Sequence, residues 1–315
     1  MTNHNIAKQA QFDLRLFAWR EDLAAAKLRG QVKAAQYVAG EEAQITAPVA
    51  DLRALPNDEA VLQTQLLYGE PFCIYEEKNG WAWGQAGLDD YVGYLRADYL
   101  TPLSQQAQSA PPDHQIATLA SFIYPKQDIK ARPLMALSMG ARVKLTEKTE
   151  RFAYVDRLGW VIASHVRPLN MKQANEPAQK TNEPIADYMA AAMQFLDSPY
   201  LWGGRSHLGL DCSALVQLAL MQAGFACPRD TDMQENALGR AVLSDDLQHD
   251  DLQHEYLQRG DLVFWKGHVG LLQSPTQLLH ANATYMKTII EDFTTARKRI
   301  AKIQGDISSI RRLID

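Results

Sequence analysis

The sequence has few of the features that define disulfide-rich, membrane or polyanion-binding proteins. Its 315 residues include three cysteines, too few for a disulfide framework. It has no apolar run of about 18 residues, so no membrane-spanning segment is predicted. Lysine and arginine number 32 and aspartate and glutamate 37, and a net charge of −5 argues against a dominant nucleic-acid role. The 46% of apolar residues excludes a largely disordered chain.

The N-terminal residues also lack a recognisable targeting signal. They contain no apolar core followed by a small-residue cleavage site, which a secretory signal requires. We therefore expect a cytoplasmic protein, with export by a route that the sequence does not show as the alternative.

Two stretches rich in proline, glutamine, asparagine and serine are predicted to be linkers, at residues 101–114 and 167–184. They divide the chain into an N-terminal segment (1–44), two short parts (45–105 and 115–170) and a C-terminal part (184–315). In the N-terminal segment the sequence predicts a helix from Asp22 to Lys33, to which we assign no function. The length is compatible with two or three domains.

The two short parts look like copies of one unit. Gly69, Phe72, Ile74, Trp81 and Trp83 recur at a constant offset as Gly140, Val143, Leu145, Phe152 and Tyr154. Short alternating segments separated by turns are typical of small barrels of short strands. The spacing and the closing segments GYLRADYL and GWVIASHV resemble bacterial SH3 domains. We therefore expect two small all-β SH3-like barrels.

The C-terminal part has a different pattern. It predicts helices at Ala186–Leu196 and Asp211–Gly224, the second with Asp211 as its N-cap. Three strand-like runs follow, at Asp261–Trp265, His268–Leu272 and Leu278–Asn282. Helices followed by antiparallel strands predict an α+β domain.

Cys212 is the candidate nucleophile, because it lies at the predicted start of a helix after a glycine-containing loop. The partial positive charge of a helix N-terminus stabilises a thiolate, which is the reactive form. The alternative is a small buried apolar residue, the commoner fate of a cysteine. We prefer that alternative for Cys73 and Cys227, which lack such a setting.

A thiolate nucleophile needs a base and a group that orients the base. His268 and His280 lie in two strand-like runs joined by a short loop. If that hairpin is centred on Pro275, the residues facing each other have numbers that add up to 550. His268 then faces Asn282, and His280 is a diagonal neighbour on the same face. A shift of one residue would place the two histidines on opposite faces.

These motifs are similar to those of the NlpC-type family of cell-wall cysteine peptidases. The matching segments are PYLWGGRSHLGLDCSALVQLAL, PRDTDMQ, RGDLVFWKGHVGLL and LLHAN. The resemblance implies a papain-like α+β fold with Cys212 as nucleophile, His268 as base and His280 as the third catalytic residue. It implies no metal and no organic cofactor. A zinc site on these three residues would lack a fourth ligand.

The combination with two SH3-like barrels resembles γ-D-glutamyl-L-diamino acid endopeptidases. Such enzymes cut peptidoglycan stem peptides that carry a free N-terminal L-Ala, and a cytoplasmic member would serve murein-peptide recycling. The resemblance implies an ammonium site at Glu70, Tyr91 and Asp211. It also implies that Tyr200 and Trp202 form a wall of the cleft, with Tyr200 near the oxyanion. The D-Glu α-carboxylate would bind Ser213 and Thr231, with Arg205 as the alternative. Each of these residues also has an ordinary structural interpretation.

Two other classes of function stay open from the sequence. One is a thiol-dependent acyltransferase on a related fold. The other is a non-catalytic protein that binds cell-wall peptides through its SH3-like repeats. The acyltransferase would hand its acyl group to an amine or a lipid. The partner we expect is a peptidoglycan-derived peptide, not a nucleic acid, and the oligomeric state is open.

Overall fold

The structure, a computed structural model, describes residues 12–105, 110–169, 187–242 and 256–313. The chain forms two compact units, one of residues 1–115 and 122–164 and the other of residues 116–121 and 165–315. Within the described ranges no helix is long and apolar enough to cross a membrane. Much of the second predicted linker lies outside these ranges.

The first unit begins with nine short strands. They are β1 (Leu23–Ala25), β2 (Gln36–Val38), β3 (Glu41–Ile45), β4 (Val49–Arg53), β5 (Leu62–Leu67), β6 (Pro71–Lys78), β7 (Trp81–Ala86), β8 (Val92–Arg96) and β9 (Leu100–Pro102). Seven of them form one sheet in the order β5-β4-β8-β7-β6-β3-β9. Alternate residues of these strands, such as Leu52, Phe72 and Leu95, are buried in a common core. The period of two in the sequence therefore corresponds to one buried face.

The helix predicted from Asp22 to Lys33 is wrong. The segment forms β1, one turn of 3-10 helix at Ala26–Leu28, and then β2, which pairs in parallel with β1. Leu23 and Leu28 pack with Trp83 in a small apolar cluster, and this tertiary packing overrides the helix propensity of an alanine-rich stretch. The main sheet also begins earlier than residue 45, because β3 starts at Glu41.

The rest of the first two predicted parts has shorter strands. They are β10 (His114–Ile116), β11 (Ala120–Ile123), β12 (Met135–Ser138), β13 (Arg142–Val143), β14 (Leu145–Lys148), β15 (Phe152–Val155), β16 (Gly159–Ile162) and β17 (Val166–Pro168). Strands β14, β15 and β16 form an antiparallel meander. The equivalent glycines of the two repeats, Gly69 and Gly140, both have positive φ, at 79° and 91°. The repeat in sequence is thus also a repeat of backbone turns.

The part of the second unit described from residue 187 onward contains four α-helices and eight strands. The helices are α1 (Tyr188–Met193), α2 (Cys212–Gln222), α3 (Thr231–Ala237) and α4 (Phe293–Gln304). The strands are β18 (Arg205–Ser206), β19 (Gly209–Leu210), β20 (Arg240–Ala241), β21 (Leu262–Trp265), β22 (His268–Ser274), β23 (Gln277–Asn282), β24 (Lys287–Asp292) and β25 (Ser309–Arg312). Six strands form a sheet in the order β20-β25-β21-β22-β23-β24.

The predicted helix at Asp211–Gly224 and the three predicted strands are confirmed, whereas α1 is shorter than the predicted helix at Ala186–Leu196. All eleven residues of α2 are buried, and the helix packs against α1 and β22. It ends in a Schellman motif, in which Gly224 (φ 87°) donates to Met221 and Phe225 donates to Leu220. The fixed ends of this central helix position its first residue, Cys212.

The last strand and helix of the sheet layer were not predicted from the sequence. The α4 residues Phe293, Ala296 and Ile300 are buried at helical spacing and pack with Val263 and Trp265 of β21. Helix α4 thereby covers one face of the six-stranded sheet, and β25 adds a strand beside β21.

We predict that Gly69→Ala lowers the free energy of unfolding by about 2–4 kcal/mol. An added Cβ would collide with the carbonyl oxygen of Arg142 and would also require an L-residue at positive φ. Gly80→Ala is the matched control, because Gly80 has a similar φ of 77° but no atom within 4 Å of an added Cβ. It should cost about 1 kcal/mol. Equal losses in urea denaturation would contradict a role for the Arg142 contact.

Candidate active site

The candidate nucleophile Cys212 is the first residue of α2. The side chain of Asp211 caps the helix by accepting a hydrogen bond from the Ala214 N–H at 2.9 Å. The N–H groups of the first helical turn have no partner within the helix and carry partial positive charge. A negative charge that develops on or beside the sulfur is stabilised at this position.

The hairpin of β22 and β23 brings His268 and His280 together. Leu271 pairs with Leu279 and Leu272 with Leu278, so the predicted register is confirmed in this part of the hairpin. The Nε2 atom of His268 lies 2.8 Å from the Nδ1 atom of His280. Both side chains are buried. This contact leaves Nδ1 of His268 available for another partner.

Cys212 lies beside the strand that carries His268. The backbone N–H of Val269 and the Thr231 side chain lie close enough to its sulfur to lower the pKa of the thiol. The Tyr200 hydroxyl lies near Cys212 and Asp211. Burial and then these two groups raise the pKa of the hydroxyl. The Cys212 thiol thus lies beside Val269, which follows His268 in β22, and near the Tyr200 hydroxyl.

Burial controls the charges at this site. It raises the pKa of Cys212 to about 11, and the Asp211 carboxylate acts in the same direction, whereas Val269, Thr231 and Arg229 act against it. Burial lowers the pKa of His268 to about 3, with further lowering by His280 and Arg299. A low dielectric disfavours the charged form of each group. A neutral thiol and a neutral imidazole are therefore favoured in the free protein.

Arg229 is a site residue that sequence analysis missed. Its Nη1 atom lies 3.0 Å from Oδ1 of Asp211, and its Nη2 atom lies 2.7 Å from Oδ2. Nη1 also donates to the Ser213 hydroxyl at 2.7 Å, and that hydroxyl donates to Asp211. The arginine stands in the family-like segment PRDTDMQ, in which the sequence assigned a role only to Thr231. A charged residue so close in sequence to a predicted site residue was the available signal.

The predicted binding residues of the second unit have different surroundings. Arg205 is 2% exposed, and its guanidinium donates to Gln217 of α2 at 2.5 Å. Its role as the alternative site for the D-Glu α-carboxylate stays a prediction. Trp202, by contrast, is 67% exposed on the loop before α2. Ser213 and Thr231 are both buried beside the helix start.

Two predicted binding residues, Glu70 and Tyr91, belong to the first unit. Both are buried there, and Oε2 of Glu70 accepts a hydrogen bond from the Leu67 N–H at 3.1 Å. Tyr91 is part of the core of the main sheet of that unit. Their predicted role in ammonium binding stays a prediction.

His280 has further partners that sequence analysis did not identify. Its Nε2 atom lies 2.7 Å from Oε1 of Glu291 and 3.1 Å from Nδ2 of Asn282. Arg299 of α4 forms an ion pair with Glu291. Glu291 lies on β24, a strand that was not predicted, and this explains why the carboxylate was missed. Among the described residues, no three histidine, cysteine or acidic side chains are grouped so as to hold a metal ion.

A thiol at a helix start, beside a histidine that contacts a second histidine, is the arrangement of a cysteine hydrolase. Residues 197–302 match the NlpC/P60 family, and residues 52–100 match a domain described as the bacterial dipeptidyl-peptidase SH3 domain. The chain accordingly contains an NlpC/P60 peptidase domain at residues 197–302 and a bacterial SH3 domain at residues 52–100.

Individual relatives are similar over most of the chain. The dipeptidyl-peptidase 6 of Lysinibacillus sphaericus is 27% identical over 76% of this chain and 86% of the relative. The γ-D-glutamyl-L-lysine dipeptidyl-peptidase of Bacillus subtilis (strain 168) is 26% identical over 71% of this chain and 73% of the relative. The crystal structure of an NlpC/P60 family protein from Bacillus cereus ATCC 10987 is similar in fold, with a TM-score of 0.69 and 18% identity. That likeness covers 87% of this chain and all of the other.

We predict that Arg229→Gln lowers the free energy of unfolding by about 3–5 kcal/mol, because it leaves the buried Asp211 carboxylate without its counter-charge. Arg259→Gln is the matched control. Arg259 also forms two hydrogen bonds with an N-cap carboxylate, that of Asp187 at the start of α1, but the pair is about half exposed.

The control substitution should cost about 0–1 kcal/mol, since water and ions screen an exposed pair. Urea denaturation of both variants measures the difference. Similar losses for the two variants would show that burial of the Asp211–Arg229 pair is not what makes it matter.

Proposed function

We propose that this peptidase hydrolyses the bond between γ-D-Glu and the following diamino acid in peptidoglycan stem peptides with a free N-terminal L-Ala. The contact between His268 and His280 beside Cys212 is the observation that carries the proposal. The name of the Bacillus subtilis relative, γ-D-glutamyl-L-lysine dipeptidyl-peptidase, supports the choice of substrate. A free L-Ala exists once the amide to the sugar has been cut, so we place the reaction in murein-peptide recycling in the cytoplasm.

The proposal includes a finer description of the fold. We interpret the meander β14-β15-β16 and its neighbouring strands as a second SH3-like barrel, because its sequence repeats that of the first. We interpret the second unit as a papain-like domain. The packing of α2, with a cysteine at its start, against the strand that carries a histidine supports this interpretation.

The first half of the proposed reaction is acylation of Cys212. Nδ1 of His268 takes the thiol proton while the sulfur attacks the γ-carbonyl carbon of D-Glu. The oxyanion faces the backbone N–H of Cys212, with the Tyr200 hydroxyl nearby. The C–N bond then breaks, the imidazolium of His268 protonates the leaving α-amine of the diamino acid, and a thioester remains.

The second half is hydrolysis of the thioester. His268 accepts a proton from water as the water oxygen attacks the thioester carbon. The C–S bond breaks, the released thiolate regains a proton from His268, and the γ-carboxyl group of D-Glu leaves as the second product and releases its own proton to water. Both half-reactions begin with a neutral imidazole as base, which burial of His268 favours.

The residues that select the substrate are proposed from the resemblance to γ-D-glutamyl-L-diamino acid endopeptidases. We propose that Asp211 contributes to binding of the L-Ala ammonium. Ser213 and Thr231 are proposed to bind the D-Glu α-carboxylate. The exposed Trp202 is proposed as a wall of the cleft.

We predict that the wild-type protein releases free diaminopimelate from L-Ala-γ-D-Glu-meso-diaminopimelate, whereas Cys212→Ala does not. Mass spectrometry of the products measures this. Cys73→Ala is the control, because it removes a thiol of the first unit and should retain full activity. An N-acetylated substrate should resist cleavage, since acetylation removes the ammonium.

Each outcome of that experiment has a separate meaning. Cleavage of both peptides would keep the peptidase but refute the ammonium site. Cleavage of neither peptide by folded, reduced protein would refute the proposed substrate and favour the acyltransferase or the binding protein.

We also predict that the acid limb of kcat/KM lies below pH 6.5, the ordinary pKa of histidine. The folded-state pKa of His268 is lowered, so the basic form of the imidazole persists as the pH falls below that value. The pH dependence of peptide cleavage between pH 4 and 8 measures the limb. An acid limb at or above pH 6.5 would contradict the assignment of the buried His268 as base.

A further inference from the structure

The chain of polar contacts does not end at His280, the third member of the proposed triad. Oε1 of Glu291 lies 2.7 Å from Nε2 of His280 and also accepts from Arg299. In the β23–β24 register Leu278 faces Glu291 and His280 faces Ile289, so Glu291 is a diagonal neighbour of His280. The carboxylate is largely buried, since its side chain is 12% exposed.

The contacts of Glu291 determine which nitrogen of each histidine carries a hydrogen. A carboxylate is only an acceptor, so Nε2 of His280 must be the donor to Glu291. A neutral imidazole has one N–H, and Nδ1 of His280 must therefore accept. The atom 2.8 Å from it is Nε2 of His268, which must then be the donor. Nδ1 of His268 is left with its lone pair, which is the form that can take the proton of Cys212.

A competing contact makes this order depend on Glu291. Nδ2 of Asn282 lies 3.1 Å from the same Nε2 of His280. The Asn282 amide is held in this orientation, because its Oδ1 accepts from the Tyr285 N–H at 3.0 Å. If Asn282 donated to Nε2, every hydrogen in the chain would be reversed. Nδ1 of His268 would then carry a hydrogen and could not serve as base.

Arg299 keeps the carboxylate charged and in place. Besides its ion pair with Glu291, the guanidinium donates to the Thr284 hydroxyl at 3.0 Å and lies over the Tyr285 ring. Hydrogen bonds from His280 and Arg299 keep the pKa of Glu291 below its usual value although burial opposes this. An ionised acceptor forms the stronger hydrogen bond and outcompetes the neutral amide of Asn282.

We propose that Glu291, held by Arg299, is a positioning residue that fixes the tautomers of His280 and His268 so that Nδ1 of His268 accepts the proton of Cys212. The proposal rests on the proposed function for the roles of Cys212 and His268. The carboxylate touches neither the thiol nor the reacting atoms, and it acts through two imidazole rings.

The primary test is Glu291→Gln. The carboxamide retains the size of the side chain but presents a donor as well as an acceptor, so Asn282 gains access to Nε2 of His280. We expect kcat to fall at least about 10-fold with little change in KM, because the wrong tautomer impairs proton transfer but not binding. Long-range ¹H–¹⁵N spectra should show hydrogen on Nε2 of both histidines in the wild type and a mixed population in the variant.

Two further variants separate positioning from a general effect on folding. Glu235→Gln is the matched control, because this half-buried glutamate of α3 accepts from Ser309 through an oxygen that glutamine retains. It should leave kcat and the tautomers unchanged.

Glu291→Gln combined with Asn282→Asp places a carboxylate at the competing position and keeps an acceptor for Tyr285. It should restore the Nε2–H tautomers and at least part of kcat.

The outcomes are distinct. Unchanged kcat and tautomers in Glu291→Gln would overturn the proposal. A fall in kcat with unchanged tautomers, or a double variant no better than the single one, would show a merely structural role and would also overturn it. If Glu291→Gln does not fold, the tautomers of the double variant show whether a carboxylate beside His280 fixes the hydrogen positions. The spectra need no substrate, so they test the proposal even if the peptide of the proposed function is not cleaved.

Discussion

The buried Asp211 carboxylate is the point on which the candidate site depends. It caps α2, accepts the Gly203 N–H at 3.0 Å and forms two hydrogen bonds with Arg229. One side chain thus joins the glycine-containing loop, the start of the central helix and the segment that precedes α3. Such a pair is costly to bury, and the loss of one partner leaves an uncompensated charge in the interior. Arg229 also offsets a negative charge that raises the pKa of the neighbouring Cys212.

Burial explains the order of the polar groups on the sheet. Cys212 and His268 lie in surroundings that favour their neutral forms, and His280 is 0% exposed. The full charges stand farther along the chain of contacts, at Glu291 and Arg299. In a low dielectric each polar atom needs a partner, and hydrogen bonds in series strengthen one another. The site can therefore keep a neutral base beside the thiol while a remote ion pair holds the rings in place.

Sequence patterns predicted those features that depend on neighbours along the chain. The cap at Asp211, the stop at Gly224 and the hairpin joining β22 to β23 follow from local turn chemistry and periodicity. The register of that hairpin placed His268 and His280 on one face, because alternation has a period of two. Local propensity failed at Asp22–Lys33, where packing of Leu23 and Leu28 against Trp83 decided the structure. It also left β24, α4 and β25 unassigned, and the partner of β25, strand β21, is distant in sequence.

The sequence by itself determined the class of the protein and its candidate catalytic residues, because a cysteine at a helix start and a histidine in a strand occur in recognisable local motifs. Only the tertiary structure decided the pairing of Arg229 with Asp211, the burial of Arg205 against α2 and the contact of Glu291 with His280. Each of these is a contact between side chains that separate elements bring together. Their energies arise from burial and hydrogen-bond geometry, and no local sequence pattern encodes either.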